Sequence, residues 1–446
     1  RIGTQIFYKA SNLTTVYYDA SYGSKDNQFL AVSNIKKVVF GGNGVPNYVA
    51  YKVTNLTDVE ISGSVKSIGD SAFYGCSGLT SVTIPDSVTS IRGEVFYGCR
   101  GLTSITIPDS VTSIDNSAFY GCRGITSVTF GSGLKSISSD AFFGCSNIEN
   151  IYITDLTAWC KISGLYNLMI YCSTDEKLYL NNELVIDLVI PDNVTLIGEY
   201  AFSGCTGLKS VTIPDSVTSI GSHAFYDCTD LTSVTIPDSV TSIGSHAFSS
   251  CGSLMSIDVS ENNSVYYSNN NCLIKRESGV LVLGCKNSII PTDGSITSIG
   301  DYAFYYCTGL TSITIPDSVT SIGIYAFSGC TGLTSVTIGS GVTLIGIYAF
   351  SSCAGLTSVT IGSGLKSIGS DAFLNCTGLK SVFYSGNKEQ WSNITISSGN
   401  SNLTSATRYY YSETEPELAA DGTSYNGNYW HYDTDGKTPL IWKKEK

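Results

Sequence analysis

Apolar and polar residues alternate in a short frame that recurs along most of the chain. From residue 79 the frame runs L-x-x-V-x-I-x-x-x-V-x-x-I. Single polar residues separate the apolar positions around Val82 and Ile84, and this period of two predicts a β-strand over residues 79–84 with one face buried. Pro85 fixes its own φ and cannot donate to a strand ladder, so it predicts a turn directly after that strand.

The frame belongs to a repeat of 23 residues, in which the string IPDSVTSI occurs unaltered five times. The spacing of Val95, Phe96 and Cys99 does not alternate and predicts a short helical or 3-10 turn on the convex side of each coil. One unit buries too little apolar surface to be stable alone, so the units are expected to stack as a solenoid with one parallel strand per coil. Eleven of the 15 cysteines, the ladder cysteines, mark the repeat: Cys76, Cys99, Cys122, Cys145, Cys205, Cys228, Cys251, Cys307, Cys330, Cys353 and Cys376.

Breaks in this rhythm predict how the chain is organised. Residues 1–48 and residues from 388 onward lack the 23-residue spacing. Because a stack of coils exposes an unpaired edge at each end, we expect an N-terminal cap over 1–48, a solenoid over 49–387 and an aromatic-rich C-terminal cap over 388–446. Two wider gaps between ladder cysteines predict inserts at about 146–187 and 258–290, each an elaboration of one coil.

Composition excludes several classes of partner. Only 14% of the 446 residues are charged, the net charge is −12 and the pI is about 4.7, which argues against nucleic acid or an anionic membrane surface as a partner. No run of 18 apolar residues exists, so no membrane insertion is expected in this segment. The chain opens with Arg1 instead of Met, so we expect that an upstream segment, such as a secretion signal, precedes it.

The repeat signature resembles a known family. The order A-F-x-x-C-x-x-L-x-x-V-x-I-P-x-x-V-x-x-I-G, seen from Ala72 to Gly93, is similar to that of the BspA-like leucine-rich-repeat proteins, which are surface proteins of anaerobic gut and oral bacteria and of some mucosal protists. The resemblance implies a leucine-rich-repeat solenoid, extracellular display and adhesion to host matrix or other cells. It implies neither a cofactor nor catalytic residues. Anchors common in the family are not visible before the terminal Lys443–Lys446 segment.

The cysteines allow two interpretations. The ladder cysteines would either form a metal or redox array or fill a small inward-facing apolar position, and stacked parallel side chains hold Cβ atoms too far apart for disulfides, which favours the core position. Off the ladder, Cys272 and Cys285 flank a predicted hairpin. They would face each other and form a disulfide if the hairpin turned at Ser278–Gly279, and a turn one residue away would break that register.

One variable position of the repeat carries the candidate ligand-binding residues. It is aromatic in three consecutive coils, at Tyr302, Tyr325 and Tyr348, and these rings are expected to stack about 5 Å apart as an exposed strip. The alternative is that duplicated tyrosines merely cover the backbone. Other coils hold Ser71 and Ser117 there, so serine should be tolerated. The same position also holds Tyr200, His223 and His246, but without a nearby third ligand or carboxylate that would indicate a metal site or a triad.

These features predict binding instead of catalysis. The preferred ligand is a protein of the host matrix or of a cell surface, contacted over several coils. The alternative is glycan recognition by the tyrosine strip, the aromatic tail or the S-x-T rows of the strands. An enzyme with a site in the 146–187 insert is a weaker alternative. The aspartates that follow each proline, such as Asp109 and Asp317, are expected to close the turn with their own backbone.

Overall fold

The S-V-T-I segments of successive coils pair as parallel strands in register. Ser335 lies opposite Ser358 and Ile338 opposite Ile361, an offset of one 23-residue repeat. The side chains of Val336 and Ile338 point into the core, whereas Ser335 and Thr337 point away from it. The period of two in the sequence therefore places one row of apolar side chains and one row of hydroxyl groups on opposite faces of each sheet.

The computed structural model describes residues 14–19, 34–172, 177–420, 423–434, 436 and 438–443. The chain divides into two compact units, the first comprising Arg1–Leu208, Ser216–Tyr226 and Ser242–Ala247, and the second comprising Lys209–Asp215, Asp227–Thr241 and Phe248–Lys446. Each unit is a stack of coils of about 23 residues with parallel strands and few helices. This is the predicted leucine-rich-repeat solenoid.

The strands of the first unit form sheets along the sides of its coils. They comprise four- or five-residue strands, which carry the S-V-T-I pattern or its variants, and shorter strands that follow the turn. Their bounds are Thr15–Asp19, Lys37–Gly41, Asp58–Ile61, Ser81–Val82, Ser90–Ile91, Ser104–Ile107, Ser113–Ile114, Ser127–Phe130, Ser136–Ile137, Asn150–Ile153, Lys177–Leu180, Glu183–Leu184, Asp187–Val189, Leu196–Ile197, Ser219–Ile220 and Ser242–Ile243.

The second unit repeats this arrangement and ends in strands that bear aromatic residues. Parallel pairing extends past residue 387, because Ser381 lies opposite Thr407. Its strands are Ser210–Thr212, Ser233–Ile236, Ser256–Val259, Tyr266–Asn269, Cys272–Lys275, Val280–Leu283, Ser298–Ile299, Ser312–Ile315, Ser321–Ile322, Ser335–Ile338, Leu344–Ile345, Ser358–Ile361, Ser367–Ile368, Ser381–Tyr384, Thr395–Ile396, Thr407–Tyr411, Tyr429–Tyr432 and Pro439–Ile441.

Short helices occur only at the predicted insert and beyond residue 387, within the part of the chain that the structure describes. They are Leu156–Trp159, Tyr166–Met169, Lys388–Ser392 and Ser401–Ser405. The indole N–H of Trp159 donates to the carbonyl of Ala201 at 2.7 Å, which ties the insert to its unit. The domain boundaries given above remain predictions, and residues 1–13 and 20–33 of the predicted N-terminal cap lie outside the described residues.

One detail of the predicted coil is wrong. The first strand begins at Ser81, not at Leu79, because the amide of Leu79 donates to the carbonyl of Cys76 and closes a turn instead. The predicted short turn on the convex side contains hydrogen bonds to the third residue back, as from Tyr74 N–H to the carbonyl of Ser71 at 3.2 Å. The amides in between donate to the neighbouring coil, as Phe73 N–H does to the carbonyl of Val95 at 2.9 Å, so the turn does not continue as a helix.

In the core, the rings and thiols of successive coils stack on one another. In the second unit, Phe304, Phe327, Phe350 and Phe373 stack face to face with centroids 4.8–5.2 Å apart. All ladder cysteines are buried and free, and most donate to a carbonyl of the preceding coil. Burial raises the pKa of the Cys76 thiol to about 12. These contacts match the small inward-facing position predicted for the ladder cysteines.

The predicted disulfide between Cys272 and Cys285 is absent, since both residues are free thiols. The hairpin itself is present and is closed by the pair Lys275 and Val280, with a register shift at Leu273. This turn lies one residue earlier than the disulfide requires. Cys285 falls beyond the paired strands as a result, and the two thiols bond to different carbonyls and to Ser288.

Candidate binding surfaces

The variable position that carries the predicted site residues has a left-handed backbone in every coil. The φ angle is 55° at Glu94, 56° at Ser117 and 58° at Tyr302, a conformation that is uncommon outside glycine. The cause is the pairing between coils, because the amide of this residue donates to a carbonyl 22 residues later, as Tyr302 does to Ile324 at 2.9 Å. The conformation turns each side chain outward in the same direction, which aligns the position into a column.

Tyr302, Tyr325 and Tyr348 form such a column in the second unit. Their ring centroids lie 5.1 and 4.7 Å apart, with interplanar angles of 11° and 8°. The predicted stacking is therefore present. The rings are half-buried and not fully exposed, since each covers the face of its neighbour. At the end of the column, a hydrogen bond to the carboxylate of Asp371 raises the pKa of Tyr348.

Exposed aliphatic side chains flank this column. Ile324 is 39% exposed and Ile347 is 42% exposed, and each directly precedes a tyrosine of the column. Tyr306 and Leu344 are also exposed in the same coils. The column with Ile324 and Ile347, which we call the tyrosine face, thus combines apolar area with ring hydroxyls. Such a composition is typical of the centre of protein-binding surfaces.

Tyr200, His223 and His246 form a second column, in the first unit. The rings of Tyr200 and His223 lie 4.5 Å apart, as do those of His223 and His246, and all are nearly parallel. Burial lowers the pKa of His223, and the carboxylate of Glu199 partly opposes that effect. The stacking predicted from the repeat spacing is thus present. A role for these residues in ligand binding remains a prediction.

A third column was missed by the sequence reasoning. It occupies the position three residues later in the coil and contains five stacked rings with centroids 4.4–4.8 Å apart, and a sixth ring packs edge to face at the end, 4.9 Å away. The recurrence of tyrosine at intervals of 23 was the signal that could have revealed it. Its members are Tyr51, Tyr74, Tyr97, Tyr120, Phe143 and Tyr171.

The two aromatic positions compensate for each other. Coils with a small or acidic residue at the first position, such as Ser71, carry a ring three residues later, at Tyr74. Coils with Tyr325 or Tyr348 carry Ser328 or Ser351 instead, and these serines are buried. The exchange does not hold in every coil, because the coils of Tyr302 and Tyr305 and of His223 and Tyr226 carry two rings and the coil of Asp371 and Leu374 carries none. Where the exchange holds, one ring covers the convex turn.

The aspartate row behaves differently from the prediction. One carboxylate oxygen of Asp109 accepts from the amide and the hydroxyl of Ser132, and Asp317 accepts from the amide of Ser340 at 2.6 Å. These partners lie 23 residues further along the chain, so the carboxylates tie adjacent coils together and do not close their own turns.

No group of three or more His, Cys, Asp or Glu residues in the described ranges is placed to hold a metal ion. In the same part of the chain, no helix combines the length and apolar character needed to cross a bilayer.

Comparison with known proteins identifies the class. The model of the "BspA type Leucine rich repeat region" matches residues 43–161, 174–278 and 283–409 in six copies. The coils described above are therefore leucine-rich repeats of the kind that serve as protein-interaction scaffolds. The chain belongs to the BspA-type leucine-rich-repeat family.

Solved structures of bacterial repeat proteins are similar. A leucine-rich cell surface protein from Faecalibacterium prausnitzii A2-165 is 32% identical over 70% of this chain and 87% of its own, with a TM-score of 0.49. A leucine-rich repeat protein from Bacteroides ovatus is 24% identical over 86% of this chain and 92% of its own, with a TM-score of 0.44. The pneumococcal vaccine antigen PcpA is 19% identical over 73% and 80%, with a TM-score of 0.41. No curated protein matches the chain.

Proposed function

We propose that the protein is an extracellular adhesion protein, secreted or attached to the cell surface, and that its tyrosine face binds a protein of the host matrix or of another cell. The observation that carries this proposal is the in-register column of Tyr302, Tyr325 and Tyr348 flanked by exposed Ile324 and Ile347. The name of the Faecalibacterium relative, a cell surface protein, supports the location.

The geometry of the rings favours a protein ligand over a glycan at this surface. A saccharide packs its C–H face against an open aromatic face, but both faces of the Tyr325 ring are covered by Tyr302 and Tyr348. Ring edges and isoleucines offer instead the mixed apolar and hydrogen-bonding surface that a protein partner covers. The glycan alternative therefore requires another part of the molecule. Catalysis is not proposed, because the family consists of repeat scaffolds.

The test variant must move the rings of Tyr325 and Tyr348 while a ring still covers the convex turn of each coil. Replacing the three tyrosines with serine would leave the coils of Ser328 and Ser351 without a ring, so it would cost stability as well as binding. A ring-shifted variant avoids this problem. It combines Tyr325→Ser with Ser328→Tyr and Tyr348→Ser with Ser351→Tyr, which recreates the arrangement seen at Ser71 and Tyr74.

Binding should be measured against purified matrix proteins such as collagen, laminin and fibronectin. The ring-shifted variant should unfold like wild type but bind its ligand about 30-fold more weakly, the effect expected for a hot spot of about 2 kcal/mol. A matched control is Tyr97→Ser with Glu94→Tyr, which shifts one ring in the opposite direction in the first unit. Wild-type affinity of the ring-shifted variant for every ligand found would contradict the proposal.

A further inference from the structure

A groove lined by both polar and apolar groups lies on the strand side of the second unit. It has a volume of about 400 Å³ and opens where the strands Ser312–Ile315 and Ser335–Ile338 end. This volume falls within the range of small-molecule pockets, roughly 300–1,000 Å³. Its lining includes Thr314, Thr337, Asp317, Ser318, Ser340 and Tyr432. None of these residues belongs to the tyrosine face.

Threonine side chains form the floor of the groove. Thr314 and Thr337 lie opposite each other in register, with their side chains on the outer face of the sheet. The next residue in the row, Thr360, is already buried, and Phe383 follows it. The open row of hydroxyls therefore ends after two coils, where aromatic residues cover the sheet.

The aromatic end of the chain provides the wall. The indole of Trp430 is fully buried, lies 5.7 Å from the ring of Phe383 and donates to the carbonyl of Tyr384 at 2.9 Å. Tyr432 packs edge to face against Trp430 at 4.8 Å and lines the groove beyond it. The ring of Phe383 and the carbonyl of Tyr384 hold Trp430 in place. The ring of Tyr432, which packs on Trp430, therefore has a defined position above the threonine floor.

Asp317 offers unused hydrogen-bonding capacity at the groove, whereas the oxygen of Ser318 beside it is closed to solvent. The hydroxyl of Ser318 is buried and has no hydrogen-bond partner among the described residues. Its equivalents Ser110 and Ser216 donate to carbonyls of the preceding coil at 2.6 and 2.7 Å. Burying a hydroxyl without a hydrogen-bond partner costs free energy unless a ligand or a water molecule supplies that partner. The carboxylate of Asp317 uses one oxygen for Ser340 and can accept further bonds with the other.

We propose that this groove binds a neutral saccharide of one or two sugar rings, such as the terminal unit of a glycan. Its C–H face would pack on Tyr432, and its hydroxyls would pair with Asp317 and the threonine floor. Asp317 and the net charge of −12 disfavour acidic ligands, and the hydroxyl floor disfavours apolar ones. The proposal is independent of protein binding at the tyrosine face.

The test uses the whole chain and a panel of galactose, glucose, mannose, N-acetylglucosamine and lactose. Saturation-transfer NMR should detect at least one of these sugars, and titration should give its affinity. Thr314→Lys fills the groove from an exposed strand position and should abolish the signal. Its control is Thr106→Lys, the same exchange at the exposed equivalent position in the first unit, which should bind like wild type.

A second pair of variants separates ligand contact from stability. Asp317→Asn and Asp109→Asn each weaken the same kind of bond to the next coil, so they should lower stability to a similar degree. Only Asp317→Asn should weaken sugar binding, by about tenfold, because only that carboxylate lines the groove. The absence of saturation transfer for every sugar with wild type, or equal binding by Thr314→Lys and wild type, would overturn the proposal.

Discussion

The thiol of Cys330 donates a hydrogen bond to the backbone carbonyl of Phe304, 3.1 Å away in the preceding coil. The same carbonyl accepts from the amide of Cys307, so one oxygen joins two coils. The ring of Phe304 meanwhile stacks on Phe327 at 4.8 Å. The amide of Phe304 also donates to the carbonyl of Ala326 in the next coil at 2.7 Å. These two coils are thus joined by a thiol, an amide and a ring at once, and contacts of this kind make stability a nearest-neighbour property.

Replacement of Phe304 with alanine should destabilise this part of the chain. The ring is buried and fills the space beside Gly284, where any side chain would collide with it. We expect a loss of about 3–5 kcal/mol in the free energy of unfolding, measured by denaturant titration. Limited proteolysis should give its first new cuts near residues 300–330. Phe143→Ala, at a ring that is 40% exposed, should cost far less, and uniform loss of protection would contradict the nearest-neighbour picture.

Thiol labelling should single out Cys172. It is half-buried, whereas the other 14 cysteines are buried. At pH 8 an alkylating reagent should therefore label the native protein at Cys172 first, and Cys172→Ser should remove that label. Burial raises the pKa of ladder thiols such as Cys353, so these should react only in denaturant. Mass spectrometry of the labelled peptides measures this. Ladder cysteines found in disulfides would refute their place in the core.

Acid should lower the stability of the coil that contains His223. Burial lowers the pKa of its imidazole below the ordinary value of 6.5, so the unfolded chain binds the proton more tightly than the folded one. The stability contribution is therefore complete above about pH 6.5 and is lost as the pH falls below that value. Urea titrations at pH 7.5 and 5.5 should show a smaller acid-induced loss for His223→Tyr, which extends the stack of Tyr200. Equal losses in both proteins would count against this assignment.

The position with a left-handed backbone should not accommodate β-branched residues without strain. Ser117 has a φ of 56°, which valine adopts only with strain. Ser117→Val should therefore lower the free energy of unfolding by about 1 kcal/mol or more, while Ser117→Asn should be nearly neutral. Ser113→Val provides the control, because Ser113 lies in a strand, where valine is favourable. Similar costs at both positions would show that the backbone angle is not the cause.

The repeat in the sequence determined the solenoid, the buried faces of the strands and the role of the ladder cysteines. Periodicity suffices for these features because identical residues 23 positions apart meet the same surroundings in each coil. It also placed Tyr302, Tyr325 and Tyr348 in one column. The sequence reasoning considered one column of the repeat at a time and therefore did not find the second column of Tyr74 and its equivalents; tolerance of serine at the first position remains a prediction.

Only the tertiary structure decided the features that depend on distances between coils. The left-handed residues arise because amides on the convex side reach the next coil instead of closing a helix, and Asp109 turns to Ser132 for the same reason. The register of the hairpin, which separates Cys272 from Cys285, depends on a turn shifted by one residue. The groove at Thr314 exists because Trp430 folds onto Phe383, a contact between residues 47 positions apart that no repeat encodes.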